Sequence, residues 1–65
     1  MRFEIYLDDS IIKKEWRWRL WHEVGGKEKI IATSHDGHEN SNKCRLEVML
    51  VQTAWNAPID GPEFS

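Results

Sequence analysis

Three short stretches of two-residue alternation followed by one stretch of helical periodicity predict an α+β domain, a three-stranded antiparallel meander with one C-terminal helix packed on one face. The helical stretch also carries more apolar surface than one small sheet can cover. That excess predicts a fold completed by homodimerisation.

The first strand is read from Phe3, Ile5 and Leu7 alternating with Arg2, Glu4 and Tyr6, the repeat of a half-buried strand. Asp8, Asp9 and Ser10 are turn formers, and Ile11 to Lys14 lengthen the connection. In the second strand Trp16, Trp18 and Leu20 point one way and Arg17, Arg19 and Trp21 the other. Gly25-Gly26 tolerates positive φ and closes a second hairpin, with Lys27 to Lys29 finishing the loop or opening the third strand, Ile30 to Thr33. His35 to Asn40 has no periodic apolar content and reads as a loop, ending where Asn40 or Ser41 caps a helix over 42–56. Residues 1–58 therefore form one domain, and 59–65, with Gly61 and Pro62, a loose tail.

Projected at about 100° per residue, the helix sets Arg45, Gln52, Thr53 and Asn56 on one narrow side, with Met49 the one apolar residue among them. Cys44, Leu46, Val48, Leu50, Val51, Ala54 and Trp55 fill an arc of roughly 200°, broken by Glu47, where a single sheet needs little more than about 100°. Leu46 and Leu50 are assigned to the chain's own sheet, together with Phe3, Ile5, Leu7, Trp16, Trp18, Leu20 and Ile31. Val48, Val51 and Trp55 are assigned to a subunit boundary.

Sixty-five residues give a single domain, which at this size removes only about 60% of the unfolded surface from water. The lone Cys44 leaves no intrachain disulfide and fits a reducing compartment. Met1 to Asp9 has no apolar run long enough for a signal peptide or membrane helix, so a cytoplasmic protein is expected. Nine basic against eleven acidic residues provide no global field for a polyanion. Four Trp are the compositional anomaly, and aromatics in that number belong in cores and interfaces.

The segments Phe3-Glu4-Ile5-Tyr6, Glu15-Trp16-Arg17-Trp18-Arg19-Leu20, Ile30-Ile31-Ala32-Thr33-Ser34 and Asn56-Ala57-Pro58 resemble the YegP-like family of short bacterial proteins. The resemblance runs from Phe3 to Pro58 and is most specific in the second and third strands. It departs at the longer Ile11-Ile12 turn, in the Gly-Lys-Glu stretch of the second hairpin, and at Ser41-Asn42-Lys43 entering the helix. It implies a strand-strand-strand-helix module that, as a single copy, forms a homodimer, and it carries over no established enzymatic activity.

His35, Asp36, His38 and Glu39 include ligand types that divalent metals accept, but the spacing matches no standard site and a polar loop is expected. Cys44 lies at an apolar helical position without an oxyanion-stabilising turn, and Asp8-Asp9 is ordinary turn chemistry. No catalytic, cofactor or metal residue is assigned. The outer sheet face, Arg2, Tyr6, Arg17, Arg19 and Trp21, is the candidate partner-binding surface. The expected function is a non-enzymatic interaction module binding another protein, as a stress-related accessory protein or a phage-encoded inhibitor. The alternative is a weak single-stranded nucleic-acid binder, since arginines interleaved with aromatics can hold phosphates and stack on bases.

Overall fold

A computed structural model describes residues 1–10, 12–54 and 56–61. It shows strands β1 (Arg2–Asp9), β2 (Lys14–Val24) and β3 (Lys27–Thr33), then helix α1 (Ser41–Thr53). The strands form one antiparallel sheet in the order β1-β2-β3. Gly25 and Gly26, at φ 60° and 80°, make the tight β2-β3 turn, so Lys27 to Lys29 belong to the strand rather than to the loop.

Pairing of β1 with β2 sets Phe3 opposite Leu20, Ile5 opposite Trp18 and Leu7 opposite Trp16. Phe3, Ile5, Trp16, Trp18 and Leu20 pack beneath α1, with the Phe3 ring meeting the Trp18 indole edge-on at 5.5 Å, whereas Leu7, expected inside, lies at the open end of that face and is 43% exposed. The β2-β3 ladder slips by one residue beside Leu20 and Trp21, which pair with Ala32 and Ile30. Ile31 is the extra residue of this bulge, so Ala32 packs on the core and Ile31, expected inside, is 46% exposed. After β3 the chain keeps to the flank of β2. Ser34 donates its N–H to the Trp18 carbonyl at 2.8 Å and accepts the Trp18 N–H on its hydroxyl at 3.2 Å. His38 exchanges two backbone bonds of 2.8 Å with Trp16. Gly37 lies in this close approach, where a Cβ would collide with the Glu15 side chain.

The Asn40 side chain caps α1 by accepting the Lys43 N–H at 2.9 Å. The helix lies over β1 and β2, but its rotation differs from the sequence expectation. Cys44 and Val48 are buried against Trp18, whereas Leu46 and Leu50 are 60% and 69% exposed. Sterics and a hydrogen bond account for this. The sheet already offers two indoles and a phenyl ring, so small helix residues permit the closer approach, and Glu47 accepts the Trp18 indole N–H at 2.6 Å. Val48, expected at a subunit boundary, thus has no surface to give a partner. Among the described residues, no helix is long and apolar enough to cross a membrane.

Candidate functional site

The outer face of the sheet collects the residues singled out as a binding surface. Register sets Arg2 opposite Trp21, Glu4 opposite Arg19 and Tyr6 opposite Arg17, so the alternation of β1 and β2 brings all five candidates onto one side. Arg19 sits between two rings, its guanidinium carbon 4.3 Å from the Tyr6 centroid and 5.2 Å from that of Trp21. Its Nε donates to the Glu4 carboxylate, which also accepts the Trp21 indole N–H at 3.1 Å. Arg2 lies 5.3 Å from the Trp21 centroid and makes a two-point contact with Glu28 at 3.1 and 2.9 Å.

Hydrogen bonds from Arg19 and then Trp21 hold the Glu4 carboxyl below its ordinary value, and the bond from Arg2 does the same for Glu28. The Glu28 bond in turn raises Arg2. Arg17 donates to Glu15 at 2.9 Å, and its Nε stands 3.1 Å from Asp8 without an aligned hydrogen bond. Every arginine on this face therefore faces carboxylates already in place. An incoming phosphate meets carboxylate charge already set against each of these guanidinium groups, which reduces what it gains from them. Trp21 is held at its edge by Glu4 and on its ring by Arg2 and Arg19, and Tyr6 on its ring by Arg19, which favours a rigid, amphipathic contact surface.

On the opposite face a second polar cluster ties three elements together. Glu47 of α1 accepts from Trp18 of β2, and its other oxygen lies 3.1 Å from His38 Nε2. That second contact is at ion-pair distance but poorly aligned, so the indole bond is the stronger restraint. The Trp18 bond, with a smaller contribution from His38, keeps the Glu47 carboxyl below the usual range. Burial, reinforced by Glu47, pushes the Cys44 thiol up, which disfavours the nucleophilic thiolate. The polar cluster was hinted at only by Glu47 interrupting an apolar arc.

His38 turns inward to Glu47 while His35 stays exposed. Among the described residues, no three His, Cys, Asp or Glu side chains converge as metal ligands would. Of the subunit-boundary candidates, Val48 is in the core, and Val51, 38% exposed, borders an open cleft with Leu20 and Phe3. Trp55 lies outside the described residues. Among the described residues, the exposed large apolar side chains of the helix are Leu46, Met49, Leu50 and Val51. No protein-family model matches this chain, and no curated protein or solved structure does either.

Proposed function

We propose that this chain is a non-enzymatic interaction module that works as a homodimer and binds another protein. The supporting observation is the disproportion between core and uncovered apolar surface. Among the described residues, Trp18, Cys44 and Val48 are the buried hydrophobic ones, while Leu7, Ile30, Ile31, Leu46, Met49 and Leu50 are between 43% and 69% exposed. A core this small supplies only about 3–5 kcal/mol at best, and association is one of the few remedies open to a short chain with a single cysteine. The rigid Tyr6, Trp21 and arginine face is the surface for the second protein, since Trp, Tyr and Arg dominate interface energetics.

Light scattering and sedimentation at micromolar concentration test the reading. The expected result is twice the 7.7 kDa chain mass, with a melting temperature that rises with concentration. A well-folded monomer at about 100 μM overturns it.

A further inference from the structure

We propose that the second protein is held through a basic side chain, a lysine or an arginine, seated in the cleft that Trp21, Glu23 and Glu28 form at one end of the outer sheet face. This rests on the reading of that face as a protein-binding surface and names the chemistry of what it takes.

Strand pairing gives the face its sign. Glu15 opposes Asp8 at one end and Glu28 opposes Glu23 at the other, so each end carries two carboxylates in direct cross-strand opposition. Like charges so placed weaken a sheet unless cations offset them. At the first end Arg17 reaches Glu15 at 2.9 Å and Asp8 at 3.1 Å, and Lys13 adds a contact of 3.3 Å to Glu15. In the middle Arg19 meets Glu4. At the second end Arg2 holds Glu28 at 2.9 Å, and among the described residues no basic side chain pairs with Glu23, which is exposed. The uncompensated charge of the face is therefore negative and lies at Glu23.

The space beside it suits a cation. An open cleft of about 120 Å³ is lined by Met1, Arg2, Trp21, Glu23 and Glu28. That is the volume of about four waters, which one ammonium or guanidinium head can displace. The chain's own Arg2 demonstrates the fit: its guanidinium carbon stands 5.3 Å from the Trp21 centroid while its nitrogens donate to Glu28 at 3.1 and 2.9 Å. Ile30, opposite Trp21 on β3 and 43% exposed, adds apolar surface at the rim. A lysine or arginine of the partner lays its aliphatic stem on Ile30 and the indole and brings its charge to Glu23. A polyanion meets the opposite, the one carboxylate of the face without a counter-charge.

Nuclear magnetic resonance titration of the whole chain tests this with three probes: a capped Lys-Leu-Lys peptide, its Glu-Leu-Glu counterpart and a thymidine oligonucleotide. The lysine peptide should shift the Trp21 indole N–H and the amides of Glu23, Glu28 and Ile30, and should bind about tenfold more tightly than the glutamate peptide. Glu23→Gln removes the unpaired charge and should weaken lysine-peptide binding about fivefold. Arg2→Gln vacates the ring and Glu28 and should strengthen it about threefold. Arg17→Gln makes the same change of net charge ~20 Å away along β2, beyond the screening length at physiological salt, and should alter binding less than about twofold. Equal binding of the two peptides, lysine-peptide shifts absent from this cleft, or an unaffected Glu23→Gln variant overturns the cleft and leaves the face a protein surface. If Arg2→Gln disturbs the fold, the exposed Glu23 decides. An oligonucleotide that binds this face more tightly than the lysine peptide overturns both.

Discussion

Removing the Glu47 carboxylate should reveal how much the helix orientation depends on one indole. Trp18 is 6% exposed and donates to Glu47 at 2.6 Å, so Glu47→Ala strands a buried N–H. An unsatisfied buried donor costs about 1–3 kcal/mol, and a bond to a charged acceptor contributes at the upper end. Glu47 is partly exposed and recovers some hydration, which sets the expectation at about 2 kcal/mol. For a chain of this size that is a fall in melting temperature of about 10 °C. Glu47→Gln keeps an acceptor oxygen and should lose only about 0.5 kcal/mol. Urea unfolding followed by far-ultraviolet circular dichroism, at one fixed protein concentration, measures both. Equal losses in the two variants would place the energy in the charge rather than the hydrogen bond and sink the argument.

Acid should destabilise the fold, because Glu4, Glu28 and Glu47 all titrate below the ordinary carboxylate value of 4.5 when folded. Their stabilisation is complete above that value and is lost as pH falls through the depressed folded values, and Glu47→Gln should flatten the acid limb of a stability-against-pH curve. Val48→Ala should cost about 1–2 kcal/mol and Leu50→Ala less than about 0.5, an order that reverses if the helix is rotated as its larger side chains suggest. Gly37→Ala should cost about 1–3 kcal/mol by forcing the loop off β2, read as lost amide protection at Trp16 and His38. Single-stranded oligonucleotide should bind weakly at most, and micromolar affinity with a steep salt dependence would show that phosphates can displace the paired carboxylates.

The strands were legible because strict alternation admits one assignment: once Trp16, Trp18 and Leu20 share a face, Arg17, Arg19 and Trp21 must share the other. The three strands and the helix come in the expected order, with Asn40 rather than Ser41 as the cap, but the helix ends at Thr53 instead of running to 56 and β3 opens at Lys27. Helix rotation was not legible. Cys44 and Val48 on one side and Leu46 and Leu50 on the other are both apolar, and side-chain size favours the wrong pair. The deciding facts, a large indole below and its need for an acceptor, exist only once the helix is over the sheet. The bulge at Ile31 is hidden for the same reason, since Ile-Ile-Ala carries no local mark of a register slip. The outer-face residues were legible as a group, but the partner of Arg2, Glu28 of β3, reaches it only once the sheet is assembled, whereas Glu15 stands two residues from Arg17 on β2 itself.

The sole thiol of the chain, Cys44, is 0% exposed beneath the helix. A thiol reagent can therefore reach it only while the helix is lifted from the sheet, and the labelling rate becomes a clock for that opening. With a fast reagent the rate approaches that of lifting itself; with a slow one it tracks the population of the open form. The native sequence needs no engineered probe for this measurement, and its dependence on protein concentration would separate opening within one chain from opening that first requires two chains to part.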